Sequence, residues 1–400
     1  MTSDFAHPMN SKNANLTDTG ITVGLDATNL RSGGGVTHLV ELLRFSDPRA
    51  QGIKKILVWG GTKTLSALAE RPWLEKITPP KLDGNLLSRT WWQRFNLSDA
   101  ARDAGCDVLF VPGGSYSGNF HPIVTMCRNL LPFEPTEMGR FGLSRDWLQL
   151  RLLRSVQSRS FKHADTVIFL SDFAKRTVLD LVGSLEGRIA TIPHGVSDRF
   201  RLSPRPQKPI SAYNLETPFH IVYVSIVNTY KHQTHCVEAV ARLHREGFPI
   251  RLTLVGPAYP PALRRLEKVQ LRVDPDNQFV NYQGPIPFDD LHRMYADCDL
   301  GLFASSCENM PNILLEKMAA GLPIACSNRG PMPEMLGDAG MYFDPESPQE
   351  IADTLRVLIL DHDLRSGLAQ KAFHRAGQFD WARCAPDTLE LLAQTARGYR

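Results

Sequence analysis

Residues 297–334 read DCDLGLFASSCENMPNILLEKMAAGLPIACSNRGPMPE. Asp299 to Ala304 (DLGLFA) is an apolar run with the length of a strand buried on both faces, and Ser305, Ser306 and Cys307 make a turn of small residues after it. A helix is expected next, over about residues 310–320. Asn309 suits its N-cap, Pro311 a first turn with no use for its N–H, and Gly321 the left-handed residue past the end, while Pro323 blocks continuation. Glu308 then stands at the mouth of the helix and Glu316 inside it, roughly 12 Å further along the axis at ~1.5 Å per residue. The mouth offers free N–H groups and the positive end of the helix dipole. In an α/β sheet it lies at the carboxyl end of a strand, where phosphorylated ligands bind. Two carboxylates alone are equally compatible with an acidic first turn and a solvated Glu on an amphipathic helix.

Outward from this stretch, strands are legible at Ile21 to Asp26, Lys55 to Trp59, Asp107 to Val111, Ile123 to Cys127, Thr166 to Leu170 and Arg188 to Ile192. After them come Phe219 to Ser225, Arg251 to Val255 and Gln278 to Tyr282. Helix-length segments separate them, an alternation that calls for parallel sheets with helices on both faces. The segment RLSPRPQKPISAYNLETP has four prolines and few apolar residues, a linker composition that sets a boundary near residue 205. The chain divides into a tail over 1–20, expected to be disordered, a domain over 21–205, a second over 206–380 and a last helix over 381–400.

With 400 residues, 42% hydrophobic and 22% charged, the chain suits two soluble domains, and its net charge of +3 is too small to call for a nucleic-acid partner. It contains no apolar run long enough to span a membrane, and its first residues lack a signal-peptide layout. The seven cysteines are scattered without a C-x-x-C pair, as expected of buried thiols in a reducing cytoplasm. Three D-x-D runs occur, at Asp274 to Asp276, Asp297 to Asp299 and Asp361 to Asp363, but none has a metal-site setting and no His cluster has ligand spacing, so no metal is expected. No G-x-S-x-G elbow occurs.

Two further segments have double readings. Gly33, Gly34 and Gly35 lead into a helix near Val36 and either form a turn or let backbone N–H groups approach a ligand; His38 stands where a dinucleotide fingerprint needs its third glycine. From Arg140 to Lys162 there are six basic residues and one acid, with Leu143, Trp147, Leu150 and Leu153 at helical spacing beside Leu148, Leu152 and Val156. Such a helix either packs its apolar stripe on the sheet with its arginines solvated, or lies on an anionic membrane surface.

The run E308-N-M-P-N-I-L-L-E316-K-M-A-A-G-L-P, with Pro333-Glu334 beyond it, resembles the E-x7-E signature of the family 4 retaining glycosyltransferases. The resemblance extends from about residue 20 to 395. It implies the GT-B architecture, two Rossmann-like domains facing across a cleft with a C-terminal helix crossing back to the first. It also implies transfer of a sugar from a nucleoside diphosphate sugar to an acceptor hydroxyl, without a cofactor. Carried over residue by residue, Glu308 sits beside the transferring sugar, Asn309, Met310, Pro311 and Asn312 line it through their backbone, and Glu316 takes the ribose hydroxyls. Gly34 and Gly35 face the donor phosphates, Lys231 binds the diphosphate, and Gly256 and Ile286 line the pocket for the base. His194 belongs to an H-G-V turn; it faces the cleft or is a structural, hydrogen-bonded His.

Two departures stand out. The family's usual Gly and Arg after the first strand of the second domain are Ser225 and Ile226 here, leaving a single-cation clamp that Arg128 or Arg329 could complete. The usual His-Asp pair on the acceptor side is Arg128-Asn129, and Arg cannot take a proton at neutral pH but can bind an anion; Asn129 could equally cap the next turn. Many relatives make cell-surface polysaccharide, lipopolysaccharide or its lipid-linked precursors. The expected partners are therefore a nucleotide sugar, a glycan or lipid-linked acceptor and the inner face of the cytoplasmic membrane. A sugar-nucleotide epimerase and a noncatalytic nucleotide-sugar-binding protein on the same fold are the alternatives.

Overall fold

The computed structural model describes residues 20–31 and 33–399; the expected tail lies, but for Gly20, outside the described residues. Seven parallel strands form the first sheet: β1 (Ile21–Ala27), β2 (Ile53–Gly60), β3 (Leu74–Ile77), β4 (Val108–Val111), β5 (Ile123–Met126), β6 (Thr166–Phe169) and β7 (Arg188–Thr191), in the order 3-2-1-4-5-6-7. The second sheet has six: β8 (Phe219–Val224), β9 (Ile250–Val255), β10 (Val280–Gly284), β11 (Leu300–Phe303), β12 (Ile324–Ser327) and β13 (Met341–Phe343), in the order 10-9-8-11-12-13. The parallel sheets are those expected from the alternation, and together they make the two Rossmann-like domains that the resemblance implied. Each sheet reverses its strand order once, between β1 and β4 and between β8 and β11, and the crevices beyond those strand ends are where an α/β sheet accepts ligands.

The central strands are mostly apolar because helices cover both faces; every residue of β1, β4, β5, β6, β11 and β12 is buried. β3 was not legible in the sequence. It is an edge strand of four residues, LEKI, in which only Leu74 is fully buried, so it carries no hydrophobic run. The Trp381–Tyr399 helix lies on the first sheet, where Thr395 pairs with Thr166 at 3.0 Å and Gln394 accepts from Arg188 at 2.7 Å. The segment before β8 is strapped to the second sheet's layer: Leu202 N–H donates to the Ala319 carbonyl at 3.0 Å, and the buried Arg365 donates to the Gln207 side chain and the Lys208 carbonyl.

Three local expectations need correction. The helix of the opening stretch runs Asn312–Ala319 with Pro311 at its N-cap and no side-chain cap. Asn309 is not the cap: the helix starts three residues after it, its Nδ2 donates to the other domain, and its Oδ1 accepts no helix N–H. The first helix begins at Gly34, two residues earlier than expected. The Arg145–His163 helix does not lay its leucines on the sheet: it buries Gln157, Ser160 and Phe161, and leaves Leu148 63% and Leu152 66% exposed, with Leu143 before it at 93%. The D-x-D acids have structural work. Asp274 accepts three backbone N–H groups, Asp299 accepts the Tyr213 hydroxyl at 2.9 Å, and Asp361 caps a helix. Among the described residues no group of three or more His, Cys, Asp or Glu side chains is placed to hold a metal ion, and no helix is long and apolar enough to cross a membrane.

Candidate functional site

A cleft of about 560 Å³ opens between the two sheets' carboxyl ends, with Gly33, Gly34 and Thr37 on one wall and Ile226, Lys231, Gly256, Ile286, Glu308, Met310, Pro311, Asn312 and Glu316 on the other. It brings together most of the residues picked out from sequence. β11 ends at Phe303, and the turn after it carries Glu308 back over the mouth of the Asn312–Ala319 helix. β8 ends at Val224, and a short 3₁₀ turn, Thr229–Lys231, aims Lys231 at the same point. The turn is fixed by the Asn228 side chain, which accepts from Thr229 N–H, and by His232 in the left-handed region at φ 52°.

Lys231 is buried, with its Nζ hydrogen-bonded and ion-paired to Glu308 Oε1 and close to the rings of Tyr230 and Phe303. A buried carboxylate–ammonium pair is held by mutual attraction against the cost of removing both charges from water, so a ligand offering each a better partner can separate them. Deeper in the cleft, Glu316 is pushed up to about 8 by burial, and its nearest donor is the Tyr295 hydroxyl at 3.4 Å. Gly256, at φ 139°, has room for no side chain: a Cβ there would lie 2.2 Å from the Ser225 carbonyl oxygen. Ile226, in the place of the second cation, is 37% exposed and apolar.

The first domain closes over this wall. Asn309 Nδ2 donates to the Cys127 carbonyl at 2.7 Å, and the Ser171 hydroxyl donates to the Asn309 carbonyl at 2.9 Å. His194 N–H points at Met310 Sδ at 3.0 Å. Glu334 accepts the first N–H groups of the Asp172–Val182 helix, from Asp172 and Phe173, at 2.8 Å each, a carboxylate on the positive end of a helix dipole. Glu137 accepts from Ser306, and Arg140 pairs with both Glu137 and Glu346.

Arg128 stands apart. It lies beneath the glycine loop, where a Cβ on Gly35 would come within 3.1 Å of its Nη1, and burial brings its guanidinium down to about 10. Its Nε has no hydrogen-bond partner, and among the described residues it makes no ion pair. His194 and His38 sit beside it, Nδ1 to Nδ1 at 3.0 Å, so one ring donates and the other accepts. Burial holds both far below the ordinary imidazole range and therefore neutral. Trp381 packs against both rings, and His194 is buried. Asn129 Oδ1 accepts the Leu131 N–H at 3.2 Å, a local contact just before the Leu131–Phe133 turn. Arg329 pairs with Asp344 at 2.9 Å and is not among the residues that line the cleft.

Sequence reasoning missed His38 and the contacts of Glu137 and Glu334. His38 was read only as a gap in a glycine pattern, and the partners of the two acids lie more than 160 residues away in the chain, where no spacing rule reaches.

The model of "Glycosyl transferases group 1" matches residues 218–361, and that of "Glycosyltransferase Family 4" matches residues 32–200. The chain is 25% identical over 246 residues to an O-antigen chain mannosyltransferase B of Escherichia coli, covering 60% of this chain and 64% of the relative. It is 27% identical over 261 residues to a GDP-mannose-dependent alpha-(1-6)-phosphatidylinositol monomannoside mannosyltransferase of Mycobacterium tuberculosis, covering 62% and 66%. The chain thus spans less than two thirds of the length of these relatives. Among solved structures, sucrose-phosphate synthase of Thermosynechococcus elongatus superposes with a TM-score of 0.74 at 17% identity over 94% of this chain and 100% of that one. The Anabaena HepE protein in complex with UDP-glucose superposes with a TM-score of 0.68 at 17% identity over 95% and 100%.

Proposed function

The chain belongs to the family 4, group 1 glycosyltransferases, and from that premise we propose that it transfers a hexose from a nucleoside diphosphate sugar to an acceptor hydroxyl, with retention at the anomeric carbon and without a metal. The observation that carries this reading is the buried Lys231–Glu308 pair at the centre of the cleft, with Glu316 beneath it. A donor entering the cleft offers its diphosphate to Lys231 and its sugar hydroxyls to Glu308, so each partner exchanges the other for substrate. The ribose hydroxyls reach Glu316.

Breaking the bond from the anomeric carbon to the phosphate oxygen leaves its electron pair, and a full negative charge, on the diphosphate. Lys231, the N–H groups at the mouth of the Asn312–Ala319 helix and those of the Gly33–Gly35 loop stabilise that charge as it develops. Arg128 supplies a second cation from the first domain, in the absence of an Arg at Ile226. Glu308 stabilises positive charge at the anomeric carbon. The departing phosphate oxygen takes the proton of the acceptor hydroxyl, which attacks on the face the phosphate leaves, so configuration is kept.

The acceptor is a cell-surface glycan or its lipid-linked precursor, met at the inner face of the cytoplasmic membrane. The kinship with an O-antigen and a phosphatidylinositol mannosyltransferase supports that class, and supports mannose as the first sugar to try. A thermal-shift panel of UDP, GDP, ADP and their hexoses, on the wild type and on Glu316→Ala, tests the donor. One nucleotide series should raise the melting temperature of the wild type and fail to raise that of the variant; no response to any sugar nucleotide would overturn the reading.

A further inference from the structure

Seven of the sixteen large apolar side chains left exposed among the described residues belong to two neighbouring stretches of the first domain: Leu86, Leu87, Trp91 and Phe95, and Leu143, Leu148 and Leu152. The first four are on the Leu86–Phe95 helix, which buries only Trp92 and Gln93. Leu87, Trp91, Arg94 and Phe95 recur at one-turn spacing and so share a face; the Trp91 and Phe95 rings lie 5.4 Å apart, and Lys81 Nζ lies 3.8 Å from the Trp91 ring. On the Arg145–His163 helix, Leu148, Leu152, Arg159 and His163 also recur at whole-turn spacing. The Arg145–His163 helix leads into β6, and the Leu86–Phe95 helix leads through a second helix, Leu97–Asp103, into β4.

The loop after β4 lies between them, tied to both helices. Gln93 Nε2 donates to the Ser115 carbonyl at 3.1 Å, and the Ser160 hydroxyl accepts Tyr116 N–H at 2.8 Å. At the far end the two stripes converge on one pocket of about 300 Å³ whose lining includes Arg94, Arg159 and His163 and no carboxylate. Arg94 and Arg159 make no ion pair among the described residues, while His121, the fourth basic group there, is taken by Asp165 at 2.8 Å. Two apolar ridges that end in paired, uncompensated arginines have the chemistry of a surface meeting phosphate headgroups above hydrocarbon.

We propose that this face docks on an anionic phospholipid bilayer, with Leu87, Trp91, Phe95, Leu148 and Leu152 in the interface and a lipid phosphate seated between Arg94, Arg159 and His163. The site lies outside the cleft, and it deepens the transferase reading by naming the surface that brings the cleft to a lipid-linked acceptor; docking itself requires no turnover.

Vesicle co-sedimentation of the full chain tests it, with phosphatidylcholine alone and mixed with phosphatidylglycerol. The variants are Arg94→Gln/Arg159→Gln and Trp91→Ser/Leu148→Ser, all exposed positions, with unchanged melting temperatures as the folding control. The wild type should sediment with the mixed vesicles and not with phosphatidylcholine, and each double variant should lose roughly tenfold or more of that binding while its thermal response to the nucleotide sugar stays as in the wild type. Equal sedimentation of wild type and both variants, or none of the wild type, overturns the proposal. So does stabilisation by inorganic phosphate that is lost in Arg94→Gln/Arg159→Gln without any vesicle binding, which would assign the pocket to a free phosphate ligand. Vesicle binding that persists in a protein with no nucleotide-sugar response would instead sink the transferase reading alone.

Discussion

Asn309 Nδ2 donates to the carbonyl of Cys127 across the cleft at 2.7 Å, tying the residue after Glu308 to the residue before Arg128. Both groups are buried, so the bond has no water to fall back on while the domains stay closed. Removing the donor leaves a desolvated carbonyl, at a cost of about 1–3 kcal/mol that falls on the closed state rather than on either domain's fold. Asn309→Ala should therefore keep its melting temperature within a few degrees of the wild type, expand in small-angle scattering and lose roughly tenfold or more in kcat/KM. An unchanged radius of gyration with full activity would mean that the bond does not hold the cleft shut.

The Lys231–Glu308 pair predicts an asymmetry between its two halves. Glu308→Gln preserves shape and keeps a hydrogen-bond acceptor for Lys231, but removes the charge that stabilises the anomeric carbon. The expected loss is in kcat, on the order of 10²–10³-fold, with donor affinity little changed. Lys231→Met leaves Glu308 buried without its cation and removes a phosphate contact, so both stability and donor affinity should fall. Steady-state kinetics on the two variants, with donor Kd by calorimetry, separate the cases; equal effects on KM and kcat in both would contradict the division of roles.

Arg128 is half-buried, with an unpartnered buried Nε and a pKa brought down to about 10, the marks of a charge held for a ligand rather than for the fold. Arg128→Met keeps most of the volume and removes the uncompensated charge. The free protein should melt a few degrees higher than the wild type, while affinity for the nucleoside diphosphate drops about tenfold. Differential scanning calorimetry with and without the nucleotide gives both numbers. A variant that is less stable when free would show that the guanidinium supports the fold instead.

The parts of this molecule that could be read from its sequence are those set by contacts close in the chain. The buried run at Asp299 to Ala304, the glycine at 321 with φ +64° and the two carboxylates eight residues apart all follow from local rules. Two of the failures share a cause, a placement set by the tertiary structure and not by neighbours in the chain, and the third has its own. Asn309 is an N-cap residue type, yet its side chain is turned to the Cys127 carbonyl of the other domain, and the helix starts at Asn312 with the Asn309 Oδ1 accepting nothing. The leucines of the Arg145–His163 helix have the spacing of a core stripe, yet the sheet is covered there by Phe161 and Ser160 of the last turns. β3 was invisible because an edge strand needs to bury only one residue in four.

Glu316 is the group whose titration is easiest to follow. Burial raises its pKa from 4.5 to about 8, so in the free protein it keeps its proton at pH 7. In the unfolded chain the carboxyl ionises near pH 4.5, so between about pH 4.5 and 8 the folded state binds the extra proton. Its contribution to stability is fully present below pH 4.5 and is lost as pH rises through 8. Glu316→Gln cannot ionise and should melt less pH-dependently than the wild type, with the difference opening in the variant's favour toward pH 8. Ligand binding works in the opposite sense. Two ribose hydroxyls need two acceptors, which a carboxylate provides and a neutral carboxyl does not, so the nucleotide draws Glu316 into its ionised form. At pH 7 binding should therefore release close to one proton, and the calorimetric enthalpy should vary with the ionisation heat of the buffer. The same titration at pH 9, where the carboxylate already exists, should release almost none. A binding enthalpy that is the same in all buffers at pH 7 would show that the ribose does not reach Glu316 as a carboxylate.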